Sequence, residues 1–281
     1  MNIQLRSGTT TFDRVDLDGA RGSRFSLTFD VDAEALWVSV SRGKERPALM
    51  SQGQYGLHDG LPRVLSMLDD LGIKATFFMP GMVAQAHPSI VPEIASAGHE
   101  IASHAYTHMP LSVFETLDAE ADELQKAKDI LEDQLGAAVL GFGAPACDTS
   151  VNTLEILVKQ GIRYDRSFLD SDWPYLFQSS IGKLVELPVS WVLDDFAFFG
   201  HNLVPTMGWG IQDPAYVKGI WKGELEAFRD GGGFGCLVLH PEVIGRRPRM
   251  AMLRELIDEL GVEFRTCADI YRELDATTLS E

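Results

Sequence analysis

Three polar clusters interrupt otherwise apolar stretches of this 281-residue chain, and their residue types are those of hydrolytic chemistry. The first is SLTFDVDAEALW, residues 26–37, where Asp30, Asp32 and Glu34 follow a strand-like run at alternating positions. An extended backbone puts such residues on one face. Carboxylates held that close resist ionisation unless something positive neutralises them. The second is GHEIASHAYTHMPL, residues 98–111, with His104 and His108 four apart. Imidazoles at that spacing can share a metal when the segment coils into a helical turn. Two imidazoles and one carboxylate form a common catalytic ligand set with positions open for water and substrate. The third is LVLHPEVIGRRP, residues 237–248, where His240 ends an apolar run and Pro241 stops it. A histidine at a strand end, facing a metal site, suits a general acid. Alone, a His-x-x-x-His pair is a weak signal and a strand-end histidine is usually a hydrogen-bonded core residue. Together the clusters point to a metal-assisted site.

Such clusters need a scaffold that gathers strand ends. Strand-like runs occur at 24–30, 74–79, 99–104, 137–142, 162–167, 184–189, 235–240 and 262–266. Helical patterns lie between them: Leu57 to Leu71, closed by Gly72; a long one from a Ser112–Glu115 capping box to Gln134, closed by Gly136; then Asn152 to Lys159, Pro214 to Phe228 and Pro248 to Leu260. This alternation predicts an α/β protein with a parallel sheet, at a length near the norm for a β/α barrel. An open doubly wound sheet is the competitor, but no G-x-G-x-x-G follows the first strand. In a barrel, chemistry belongs at the carboxyl ends of strands, where Asp30, Asp32, His104 and His240 fall.

Composition narrows the partners. Acidic residues number 41 against 24 basic, a formal net charge of −17, which argues against nucleic acid. No apolar run is long enough for a membrane span, and residues 1–24 lack the apolar core of a secretory signal, so a cytoplasmic protein is expected. Cys147, Cys236 and Cys267 have no C-x-x-C spacing and read as buried thiols of a reducing compartment. Residues 1–24 read as a polar arm, for assembly or disordered, ahead of one domain at 25–281.

TFDVD (28–32), SHAYTH (103–108), GAPA (143–146) and LVLHP (237–241) together resemble the motifs of the polysaccharide deacetylase family, also called the NodB-homology or carbohydrate esterase 4 group. YDRSFLDSDWPY (164–175) and VELPVSWVLDDF (185–196) resemble one branch of it, which holds intracellular peptidoglycan-deacetylase-like proteins, allantoinase-like enzymes and cyclic imide hydrolases. The resemblance implies a distorted (β/α) barrel of about seven or eight strands that hydrolyses carbon–nitrogen bonds other than peptide bonds. It assigns Asp30 as catalytic base, Asp32, His104 and His108 as metal ligands, and His240 as general acid. The family's ligand aspartate normally follows the base directly; Val31 stands there, and the branch's D-x-D spelling moves the ligand to Asp32. Zinc is the expected metal by ligand type, and cobalt, manganese, iron or nickel fit the same donors.

One departure bears on the mechanism. Many family members carry an arginine two residues before the proline of the third motif, where it steadies the base, and this chain has Gly143 there. Asp194 and Asp195, or Arg163 and Arg166, are the replacements in view. The loss also motivates a competing reading, a non-catalytic metal-free binding barrel; a metal-independent allantoinase-like hydrolase is a further alternative. Residues 190–213 are rich in aromatics, among them Trp191, Phe196, Phe198, Phe199 and Trp209. They suit a pocket lid or a subunit interface, and homotetramers recur in the branch. Pro145, Trp191, Asp195 and Phe199 are the candidate substrate contacts. Glu100 is a candidate acceptor for a ligand imidazole N–H. The substrate is expected to be an N-acetyl sugar or a small cyclic amide or imide. His58 and His87 read as surface groups, and Glu34 stays outside the site.

Overall fold

The computed structural model of the chain describes residues 4–44, 46–203, 206–208 and 210–278. Its strands are β1 (Gln4–Ser7), β2 (Thr10–Asp16), β3 (Ser23–Asp30), β4 (Thr76–Met79), β5 (Glu100–Ser103), β6 (Gly141–Phe142), β7 (Tyr164–Asp165), β8 (Tyr175–Ser179), β9 (Gly182–Glu186), β10 (Asn202–Leu203), β11 (Thr206–Met207) and β12 (Gly233–Leu239). The helices are α1 (Ala33–Val40), α2 (Pro47–Tyr55), α3 (Leu61–Leu71), α4 (Gly81–Ala86), α5 (Ile90–Ser96), α6 (Leu117–Leu135), α7 (Thr153–Lys159), α8 (Asp195–Phe199), α9 (Pro214–Gly231), α10 (Pro241–Ile244), α11 (Arg247–Leu260) and α12 (Cys267–Thr278). No helix among the described residues is long and apolar enough to cross a membrane.

Ten strands form one sheet in the order β1-β2-β8-β9-β7-β6-β5-β4-β3-β12. The seven from β9 to β12 in that order are parallel. One parallel bridge, Asp194 to Val238, ties the two ends of this run, so the distorted barrel closes at a point rather than along a ladder. Parallel strands covered on both faces read as continuous apolar runs, and β3 is buried from Phe25 to Asp30 and β12 throughout. Leu27, Phe29, Phe77, Leu237 and Leu239 are fully excluded from solvent. Each contributes about 1.5–3 kcal/mol on burial, and together they fix the strands that end in Asp30 and His240.

The fold departs from the expected elements in three main places. Residues 4–16 are not a free arm: β2 pairs antiparallel with β8, and Phe12 is fully buried. Antiparallel edge strands bury alternate residues, so this hairpin looks polar in sequence. The 262–266 run contributes only a bridge from Phe264 to Phe25 before α12 begins. The Ser112–Glu115 box does not cap a helix; α6 starts at Leu117, where Thr116 Oγ1 accepts from the Ala119 N–H at 3.2 Å. Trp209 lies outside the described residues.

One continuous helical rod spans both halves of the strand-end face. It comprises α2, a π-helical turn at Gly56–Gly60, and α3. A Cβ on Gly53 would stand 2.2 Å from the Ala33 carbonyl oxygen, next to Asp32, and one on Gly60 would stand 2.0 Å from that of Pro241, next to His240. The absent side chains let one rod touch both polar loops, so it sets their separation. Gly53→Ala and Gly60→Ala are each expected to destabilise the protein by about 1–3 kcal/mol through overpacking. Gly219→Ala, at an exposed α9 position with nothing within 4 Å, should stabilise it by about 0.5–1 kcal/mol. Urea unfolding of the three variants checks both signs.

Candidate active site

Asp30 is the last residue of β3, and Asp32 stands at the N-cap of α1. Asp32 Oδ2 lies 3.0 Å from His108 Nε2, and Oδ1 lies 3.6 Å from His104 Nε2. His240, which follows β12, brings its Nε2 to 3.7 Å from Asp32 Oδ2. These side chains are all buried. Burial would raise the Asp32 pKa, but His108, His104 and His240 hold it well below the usual carboxylate range.

The histidine pair is not carried on a helical turn. Residues 104–108 form a bent loop in which Ala105 and His108 take left-handed backbone angles, φ 57° and 58°. That conformation costs about 1 kcal/mol or more per non-glycine residue. Glu123 of α6 offsets it, with Oε1 accepting from the Tyr106 N–H at 3.2 Å and from the Thr107 N–H and hydroxyl at 2.6 Å. Glu123 is a supporting residue the sequence reading did not single out. His104 Nδ1 donates to the Gly143 carbonyl at 2.6 Å, since a carbonyl can only accept. Nε2 is therefore the free lone pair, and burial lowers the ring's pKa to about 4, keeping it neutral.

Asp32, His104 and His108 each offer a ligand atom within 4.8 Å of the others. Asp32 Oδ1 is buried with no hydrogen-bond partner. An orphaned carboxylate oxygen beside two imidazoles is what a divalent cation would satisfy, so these residues fit one. Asp194, Asp195 and His240 meet the same distance criterion, but their atoms are engaged. Asp195 accepts from His240 Nδ1 at 2.7 Å and from the His240 backbone N–H at 3.0 Å, while Asp194 caps α8 through the Phe196 N–H at 2.7 Å. Burial alone would lower His240; the Asp195 carboxylate, with Asp194 and Asp32, overrides it and holds the imidazole well above its ordinary value.

The gap at Gly143 is filled from another strand. Arg166, just beyond β7, sends Nη2 to both Asp30 oxygens at 2.7 and 2.9 Å and Nη1 to Thr28 Oγ1 at 2.9 Å. Its guanidinium lies 3.9 Å over the Phe78 ring. A Cβ on Gly143 would meet Phe78 at 3.0 Å and Arg166 Nη2 at 3.1 Å. The missing side chain at 143 is thus the space the guanidinium occupies. Arg163 is exposed and makes no such contact. Asp30 holds the arginine's proton affinity far up against the opposing cost of burial.

Other expected residues fall elsewhere. Asp195 belongs to His240. Phe199 is 3% exposed and packs edge-on against Trp221, so it offers no face to a ligand; Phe196 is the aromatic against His240, at 5.5 Å. Trp191 is 48% exposed on the turn leading to Asp194, and Pro145 is buried beside the Gly143 segment. Glu100 does not serve a ligand imidazole: it accepts from Thr76, Tyr164 and the Ala268 N–H. Glu34 and His87 pair with each other at 3.3 Å.

The chain is similar to known proteins in both sequence and fold. A sequence profile of the polysaccharide deacetylases matches residues 22–164. The chain is 28% identical over 257 residues to a peptidoglycan deacetylase of Helicobacter pylori, covering 82% of this chain and 87% of the relative. A solved Mycobacterium smegmatis protein assigned to the polysaccharide deacetylases superposes with TM-score 0.87 at 37% identity, covering 93% and 92% of the two chains. The Puue allantoinase structure shares the fold with TM-score 0.80 at 24% identity, covering 92% of each chain.

Arg166→Met leaves Asp30 as an uncompensated buried charge. It is expected to lose about 3–5 kcal/mol of stability, with kcat falling and bound metal unchanged. Urea midpoint, turnover and metal stoichiometry check this; loss of metal with Arg166 would place the arginine in cation binding instead.

Proposed function

The chain belongs to the polysaccharide deacetylase family and has the site of a metal-dependent amide hydrolase; from that premise we propose that Asp30 is the base, His240 the acid, and Asp32, His104 and His108 the ligands of a zinc ion. Bound there, the cation would supply Lewis-acid chemistry, polarising the scissile carbonyl and making water more acidic. Asp30 takes the proton of the attacking water, and Arg166 holds that carboxylate in place through both oxygens. His240, charged through its bond to Asp195, faces the same space from the opposite loop and delivers a proton to the departing nitrogen. An amine leaves poorly without that proton. The single observation that carries this reading is the difference between two neighbouring carboxylates: Arg166 binds both oxygens of Asp30, which has His104 Nε2 at 3.8 Å, while Asp32 alone is met by both His104 and His108.

The substrate reading favoured by the geometry is a small amide, cyclic amide or imide. Asp30, Asp32, His104, His108 and His240 are each at most 7% exposed, which suits an enclosed ligand better than a polymer lying in an open groove. The Helicobacter pylori relative favours a second reading, removal of N-acetyl groups from a sugar. One panel separates them: acetate release from N-acetylglucosamine oligomers and peptidoglycan fragments, against ring opening of succinimide, glutarimide, hydantoin and allantoin. Chelation should abolish turnover and zinc should restore it. Full turnover by chelated, metal-free protein overturns the metal assignment.

The acid has its own pH signature. The charged form of His240 exists below its pKa, and Asp195 holds that pKa high, so the acid stays loaded across neutral pH. Asp195→Asn removes the countercharge. The alkaline limb of kcat should then move toward acid, with kcat at neutral pH lower by about 10²-fold or more. An unmoved limb contradicts His240 as the acid.

A further inference from the structure

Two buried carboxyl groups that the proposed chemistry leaves unused lie behind Arg166. Asp165 ends β7 and Glu186 ends β9, directly opposite each other across the parallel ladder. Both are fully excluded from solvent, and as partners in the ladder they point to the same face of the sheet. Each spends one oxygen on the backbone that carries the site. Asp165 Oδ1 accepts from the Arg166 N–H at 2.8 Å and from the Ser167 hydroxyl at 2.6 Å. Glu186 Oε1 accepts from the N–H groups of Ser167 at 3.2 Å and Phe168 at 3.0 Å. The other oxygens, Asp165 Oδ2 and Glu186 Oε2, are buried and meet no N–H or O–H donor of any described residue.

Two such acceptors can face each other only if one carries a proton. The neighbouring cation cannot neutralise them, because the Arg166 guanidinium is committed to Asp30 and Thr28. The remaining neighbours are Ser167 beyond β7, Tyr175 opposite Glu186 on β8, Cys147 in the loop after β6, and Asp30 through Arg166. None of them is a free positive charge.

We propose that Asp165 and Glu186 share a single proton and, as one hydrogen-bonded unit, position both the arginine that holds the base and the carbonyl that orients a metal-ligand histidine. The first arm of this unit is the Arg166 backbone, gripped by Asp165. The second runs through Ser167: its hydroxyl donates to Asp165 and accepts from the Ala144 N–H at 2.9 Å. Ala144 follows Gly143, whose carbonyl receives His104 Nδ1. The shared proton thus ties β7, β9 and the Gly143 loop to one geometry. Loss of the proton sets two buried carboxylates against each other and loosens both arms at once. Burial pushes Asp165 up to about 6 against the opposing hydrogen bond from Ser167, and burial together with the Asp165 charge pushes Glu186 well above the ordinary glutamate value, so the proton is held at neutral pH and lost in alkali.

The test uses Glu186→Gln, an isostere whose amide donates to Asp165 without needing the proton, beside Glu186→Ala and Asp165→Asn. The kinetic arm rests on the hydrolase reading above. Glu186→Gln and Asp165→Asn should keep kcat within about threefold at neutral pH and carry the alkaline limb upward, while Glu186→Ala should lose about 10–100-fold with zinc still bound. The thermal-unfolding arm needs no substrate, so it stands even if the hydrolase reading fails. A carboxyl whose folded pKa is raised contributes stability that is whole below its unfolded value, near 4.5 for Glu186, and fades as pH rises through the folded value. Wild type should therefore lose stability toward alkaline pH more steeply than Glu186→Gln. Equal pH dependence in wild type and the glutamine variant overturns the shared proton, as does a glutamine variant that fails to fold. A glutamine variant as inactive as the alanine one, with substrate turnover established in wild type, overturns the positioning role.

Discussion

The Arg166–Asp30 ion pair is the interaction on which the rest of this site depends. Two carboxylates two residues apart, buried beside three histidines, cannot both stay charged on a single counterion. Arg166 holds one of them, Asp30, through both oxygens at 2.7 and 2.9 Å, closer than His104 Nε2 at 3.8 Å. That leaves Asp32 to face His104 and His108 with an oxygen unspent. The division has a steric condition, which is that residue 143 carries no side chain. The same Gly143 supplies the carbonyl that fixes the His104 tautomer. The placement of Asp30 and of His104 therefore passes through one small loop, which is in turn held by Ser167 and the acid pair behind it.

The other half of the site obeys the same rule with a different solution. His240 is buried, which would discharge it, and Asp195 reverses that through its charge and the hydrogen bond from Nδ1, while accepting the His240 backbone N–H as well. Asp30 and His240, the proposed base and acid, then each have their own partner, Arg166 and Asp195. Their separation is set mechanically by the glycine-faced rod that touches the turn after Asp32 and the turn after His240. A site of buried charges tolerates little drift, since each group is stable only while its partner is in place.

Much of this was legible in the sequence because the parallel strands are covered on both faces. The run ending in His240 is apolar throughout, so its polar end stood out, while Asp30 and His104 were marked by their spacing to Asp32 and His108. The D-x-D spacing and the histidine pair identified residue types that ligate metal, and the structure brings those side chains together. What stayed hidden depends on contacts distant in sequence. Arg166 and Arg163 were equal candidates until the barrel set Arg166 against a residue 136 positions away. Asp195 was noticed beside a candidate pocket, but its partner His240 lies on another strand end. The hairpin at 4–16 buries only every second residue on its inner turn and carried no apolar run to betray it. The bend at 104–108 needed Glu123, a charged residue in an otherwise ordinary amphipathic helix.

The central claim is that the two carboxylates of the D-x-D have separate counterions, metal for Asp32 and arginine for Asp30. Anomalous diffraction at the zinc edge from zinc-loaded crystals tests it most directly. The account predicts one anomalous peak bounded by Asp32, His104 and His108, with Asp30 still on Arg166. A peak coordinated by Asp30, or one among Asp194, Asp195 and His240, would contradict it.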